Sequence, residues 1–161
     1  MFFNSKKPEN QIISTPVSVV RSFLDDRSLN YQFYEENNVF TLNLTGQNVT
    51  WRCVIHLDLD RNLLSIRNFS PVLVQDAQKI KVAELLTRLN FGFTLGHYVM
   101  NFEEGEIIFE TTHLFKETNL APDIVDLLFY ISCKTFDEYF NLINKVNMGE
   151  TEPFMAILSL Q

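Results

Sequence analysis

The sequence predicts an α+β domain in which helices pack on an antiparallel sheet. Three observations carry that prediction. Period-two alternation of apolar and polar residues recurs between residues 30 and 69. A second alternating pair flanks Glu103-Glu104-Gly105, and helical spacing holds over one central and one long late stretch. The expected element order is α-β-β-β-β-α-β-β-α, with the central stretch Val82 to Thr111 joining a helix, a glycine corner and a hairpin.

Taken in order, residues 1–14 are expected to form a mobile N-terminal segment, 15–148 a single domain, and 149–161 an apolar tail or short helix. Thr15-Pro16 opens the first helix, Thr as N-cap and Pro at the first helical position. Val17, Val20, Phe23 and Leu24 give it an apolar face, while Asp25 and Asp26 near its end oppose the helix dipole. Such a short helix depends on docking. Strands follow at Asn30–Glu35, Val39–Thr45, Thr50–Leu59 and Leu63–Phe69, separated by Asn-rich or Gly-containing turns. In the clearest of them Trp51, Cys53, Ile55 and Leu57 face inward, and Arg52, His56 and Asp58 outward. Ser70-Pro71 ends the meander, because Pro cannot donate to a ladder.

In the central helix Val82, Leu85, Leu86 and Leu89 share one buried face. Gly92 is the expected helix stop in a left-handed conformation, and Gly96 permits a second sharp bend. The strand His97–Phe102 then sets Tyr98, Met100 and Phe102 on one face, and the return strand Glu106–Thr112 sets Ile107, Phe109 and Thr111 there. The final helix starts at Asn119 or Pro122 and runs to about Val146, where Met148-Gly149 ends it. Its apolar face is broad, with Val125, Phe129 and Tyr130 beside the main stripe, which points to deep burial or a subunit contact.

Composition narrows the functional classes. The chain has 161 residues, 46% of them hydrophobic, and a net charge of −7. Its longest basic block is Lys6-Lys7, which argues against nucleic acid or an anionic membrane as partner, since both need concentrated positive charge. Without a signal-like start or a long apolar run, a cytoplasmic location is expected. Cys53 and Cys133 stand alone in the sequence, in a strand and a helix, and read as buried or half-buried free thiols. Three sequon-like tripeptides begin at Asn43, Asn48 and Asn68, and polar strands generate such matches by chance.

The run Val82–Gly92, its continuation through Leu95-Gly96, the acidic hairpin, and the long final helix with Phe136 and Tyr139 resemble the YbjN-like family of bacterial sensory transduction regulators. The resemblance spans about residues 15–146, and its most specific part is LLTRLNFGFTLG. It implies a fold similar to type III secretion chaperones and a small cytoplasmic binding or regulatory protein, homodimeric like those chaperones. The family brings no agreed catalytic residues. The apolar tail and the Phe-rich composition depart from its pattern.

No candidate chemistry survives weighing. His56, His97 and His113 lack partners at metal-ligand spacing. Glu103, Glu104, Glu106 and Glu110 cluster at a hairpin, where a solubilising charge group is the ordinary role. Asp58, Asp60 and Asn62 resemble the start of a calcium loop but lack its Gly and terminal Glu. Gly92 and Gly96 end a helix, so they are no phosphate cradle. Asn90, Gly92 and Gly96 are assigned to a structural corner, with Asn90 capping adjacent backbone.

No catalytic residue, metal or cofactor is therefore expected. The expected function is a non-enzymatic protein-interaction or regulatory module that binds a protein or peptide. Val125, Phe129, Phe136, Phe140, Phe154 and Ile157 form its expected contact surface. The alternative is a small-ligand site or enzyme on the sheet face, using Arg52, His56 and Arg67.

Overall fold

The computed structural model describes residues 14–116 and 119–160, so the expectation for the first 13 positions lies outside the described residues. The elements are α1 (Pro16–Asp26), β1 (Gln32–Tyr34), β2 (Val39–Thr45), β3 (Thr50–Asp58), β4 (Leu63–Phe69), α2 (Lys79–Gly92), β5 (His97–Met100), β6 (Ile107–Leu114), α3 (Pro122–Asn147) and α4 (Pro153–Leu158). The predicted order holds, with the tail adding α4. Meander and hairpin merge into one six-stranded sheet, ordered β1-β2-β3-β4-β6-β5 and antiparallel throughout. The link from β4 through α2 thus carries β5 to the edge, and β6 fills the place beside β4.

Alternation along each strand sends every second side chain to the inner face, and the register aligns them across strands. Phe40, Ile55, Ile66 and Thr111 form one buried row, and Leu42, Cys53, Asn68, Phe109 and Tyr98 the next. The 26-residue α3 lays Val125, Leu128, Ser132, Phe136, Ile143 and Val146 toward these rows. Phe136 meets Trp51 with ring centroids 5.2 Å apart, and Phe129 meets Phe23 of α1 edge-on at 5.1 Å. The apolar inner face is therefore filled by side chains. The small crevice left between α3 and the sheet, beside Tyr98 and Phe136, has about 10 Å³ of free space, no more than one water.

One polar chain crosses this core. Trp51 Nε1 donates to Asn68 Oδ1 at 2.6 Å, and Asn68 Nδ2 donates to Ser132 Oγ at 2.6 Å. A carboxamide at an inward strand position is costly unless paired, and here both of its ends are used.

Local signals explain most boundaries. Thr15 Oγ1 accepts from Ser18 N at 3.1 Å, so the expected N-cap forms. Met148-Gly149 closes α3: Gly149 N donates to Val146 O and Glu150 N to Lys145 O, with Gly149 at φ 73°. That is the Schellman pattern. Two expectations need correction. Gly92 is still helical, followed by Phe93 at φ −86°, and the left-handed turn falls on Gly96 at φ 77°. The strand expected to reach Phe102 stops at Met100, because Asn101 caps the turn by accepting from Glu103 N; Phe102 is exposed.

The tail belongs to the domain. α4 packs along α2 with Pro153 and Ala156 buried, Glu152 paired with Lys81, and the Arg88 guanidinium 5.6 Å from the centre of the Phe154 ring.

Two measurements follow from this packing. Asn68→Ala strands the Trp51 N–H and the Ser132 hydroxyl in the core, and chemical denaturation will show a loss of about 3 kcal/mol. The Tyr98 hydroxyl donates to Thr135 O at 3.2 Å, and burial pushes its pKa far up, with Tyr139 and Glu138 adding to the shift. A raised folded pKa means stability complete below the ordinary phenol value and lost as pH climbs past it. Tyr98→Phe will flatten the fall in melting temperature between about pH 9 and 11.

Candidate functional site

The glycine corner is a structural clamp. Asn101 N donates to Glu106 O, so by the period of two the backbone groups of Tyr98 point away from β6. Asn90 takes both of them: its Oδ1 accepts from Tyr98 N at 2.7 Å and its Nδ2 donates to Tyr98 O at 2.9 Å. The expected cap forms, on the adjacent strand, and it masks the free edge of the sheet at that point. Gly96 is required by its positive φ and by space, since a Cβ there would lie 2.6 Å from the Phe109 ring.

A second clamp joins α3 to the β2–β3 turn. The Asp137 carboxylate accepts from the backbone N–H of Gln47, Asn48 and Val49 at 2.9, 2.9 and 3.2 Å, and from Asn48 Nδ2. Three converging amides form a compact nest for an anion. A Cβ on Gly46 would sit 2.2 Å from that carboxylate, which is why the turn has no side chain there.

Beside this turn lies an open groove of about 880 Å³, walled by Trp51, Phe129, Tyr130, Lys134 and Glu138. Cys133, half-buried, also lines it, and behind it sits the fully buried Cys53. The two cysteines that stand apart in the sequence thus both neighbour Asn68. Cys133 Sγ lies 3.9 Å from Asn68 Oδ1, and Asn68 is the cross-strand neighbour of Cys53. A hydrogen bond with Cys133, and then burial, hold the Cys53 thiol well above its ordinary pKa.

Among the described residues, no helix packs on the other face of the sheet. Arg52, His56 and Arg67 all lie there, as the alternation requires. They do not converge on a ligand position. Arg67 is paired with Glu110 at 2.9 Å, and Arg52 stacks on Phe69 at 4.3 Å. The hollows beside Arg52 are shallow and open. Asp58 is spent on its own turn, accepting from Arg61 N at 3.0 Å. Among the described residues no three His, Cys, Asp or Glu side chains gather as a metal site, and no helix is long and apolar enough to cross a membrane.

The expected contact surface divides. Val125 and Phe136 are core residues, 0% and 2% exposed, because α3 turns their stripe onto the sheet. They are withdrawn from any surface role. Phe129, Phe140 and Ile157 are half-buried, and Phe154 is exposed. What sequence reasoning missed is on α2. Phe91 is 95% exposed, and Ile80 72%. The helical period could have found both, since each lies off the Val82–Leu89 stripe.

The fold and its clamps define a small α+β domain whose interior is sealed and whose distinctive features are on its surface. The chain belongs to the YbjN family, described as "Putative bacterial sensory transduction regulator", whose model matches residues 16–145. Among solved structures it is similar to the crystal structure of YbjN, "a putative transcription regulator from E. coli", with a TM-score of 0.55 and 10% identity over 84% of this chain and 89% of that one. That likeness shows the fold. No curated protein sequence matches the chain.

The turn clamp makes its own prediction. Gly46→Ala and Asp137→Ala will each cost about 2 kcal/mol in denaturant unfolding. The double variant will cost less than their sum, because removing the carboxylate also removes the clash.

Proposed function

We propose that this chain is a non-enzymatic, cytoplasmic, chaperone-like regulatory module that works through protein contact. Its contact surface is the ridge formed by α2 and α4, and a second copy of the chain occupies it. The observation that carries this is Phe91, an aromatic ring held almost wholly in water on a well-formed helix. Ile80 shares α2 with it, and Phe154, Met155 and Leu158 add exposed apolar surface from α4. Apolar surface gathered on two adjacent helices is typical of interaction sites.

Charge favours a second copy here. Glu84 pairs with Arg88 at 2.7 Å and Lys81 with Glu152, so the ridge is balanced within one chain. Two copies carrying −7 each repel overall, so a contact is favoured where charge is balanced locally. The family description supports the regulatory part of the proposal. A sealed core, with the arginines of the uncovered sheet face already engaged, weighs against the alternative of a ligand site.

Light scattering over a dilution series tests it. The wild type will weigh twice 18.8 kDa when concentrated and fall toward 18.8 kDa on dilution. Phe91→Glu will stay at the lower mass throughout and melt where the diluted wild type melts. A wild type that is monomeric at every concentration contradicts the proposal.

A further inference from the structure

The groove beside Trp51 is one end of a longer trough, which lies apart from the α2–α4 ridge. Past Arg27 and Asp126, bonded at 2.6 Å and lining both, it continues into a second hollow of about 420 Å³ between α1 and the start of α3. Acid outweighs base along the trough: Asp26, Asp123, Asp126, Asp137 and Glu138 line it, against Arg27 and Lys134. Ser14, the first described residue, lines the second hollow, so the chain that precedes it is tethered at the trough. The sequence of that segment, MFFNSKKPENQII, sets Lys6 and Lys7 against the single Glu9, and is basic in a chain of net charge −7. Counted back from Ser14, the lysines come first and Phe2 and Phe3 after them. The trough has the same order, with Asp26 and Asp123 in the hollow beside Ser14 and Trp51, Phe129 and Tyr130 in the groove beyond.

We propose that residues 1–13 of the chain bind reversibly in this trough, with Lys6 and Lys7 against Asp26 and Asp123, and Phe2 and Phe3 against Trp51, Phe129 and Tyr130. Length permits it. An extended segment of that size reaches about 43 Å, whereas α3 rises only about 22 Å from Asp123 to Glu138. Tethering also lowers the affinity required, because an attached segment meets its site at millimolar effective concentration. Contacts too weak to hold a free peptide are then sufficient. The groove is covered from within the chain, and a partner that enters it must first displace the segment, which weakens that partner's apparent binding by the fraction of chains left open.

Photo-cross-linking in the full chain tests this. Phe3 is replaced by benzoylphenylalanine, and the protein is irradiated at a dilution where light scattering gives 18.8 kDa. Links will form at monomer mass and map to Trp51, Phe129 or Tyr130. Lys6→Glu combined with Lys7→Glu will cut their yield about fivefold, as the loss of two surface charge contacts implies. Salt at about 1 M will lower the yield in the chain with both lysines, since charges are then screened beyond about 3 Å. That check stands by itself should the charge-reversed chain fail to fold. Links found only at twice the monomer mass, links mapping to the uncovered sheet face or the α2–α4 ridge, no links at all, or a yield unmoved by charge reversal would each overturn the proposal.

Discussion

Everything in this fold hangs on how α3 is seated, and Asn68 fixes the seat. A helix laid on an apolar sheet by hydrophobic contact alone is free to slide, because such contact has little direction. The carboxamide in the middle of the inner face removes that freedom. It binds Trp51 on its own sheet and Ser132 on the helix, both at 2.6 Å, and each bond would be expensive to lose in a dry core. Once Ser132 is placed, Phe136 falls against Trp51, Tyr98 reaches Thr135, and Asp137 reaches the β2–β3 turn.

Side chains that bind backbone do the rest of the fastening. Asn90 secures β5, Asp137 secures the turn at Gln47–Val49, and the buried Asn147 accepts from Gln75 N while donating to Leu73 O. Lys79 adds a bond to Glu103 O at 2.8 Å. Each closes backbone that would otherwise need water or a partner strand. The Asn68 carboxamide on the inner face and the edge backbone at Tyr98 are thereby consumed by structure, while the Thr111 hydroxyl stays buried and unpartnered. What is left to meet another molecule is the helical ridge, the uncovered sheet face, and the groove beside the thiols.

Much of this architecture was legible in the sequence because it rests on local periods. The strands from Phe33 to Phe69, the buried stripe Val82–Leu89 and the Thr15-Pro16 start are all set within a few residues. The resemblance to the YbjN-like family likewise rested on one continuous run. The interaction residues were less legible. On α3 the apolar face is so broad that period alone could not say which side meets the sheet, and Val125 and Phe136 proved to be inside. Phe91 lies inside the corner motif, which hides its place off the buried stripe. Asn68 holds a signal, a polar residue in phase with Leu64 and Ile66, but the same residue also opens a chance sequon. That Cys53 and Cys133 both neighbour Asn68 is set by the seating of α3 on the sheet, which no local pattern records.

A seat fixed at Asn68 requires that α3 never lift from the sheet as a separate unit. Native-state amide hydrogen exchange, followed residue by residue in rising denaturant, tests that most directly. The amides of α3 from Leu128 to Phe136 should exchange only with those of β3 and β4, through global unfolding, and all should weaken together in Asn68→Ala. If α3 exchanged at markedly lower free energy than the strands beneath it, the inner face would open in the native state, and the seat at Asn68 would not be the constraint described.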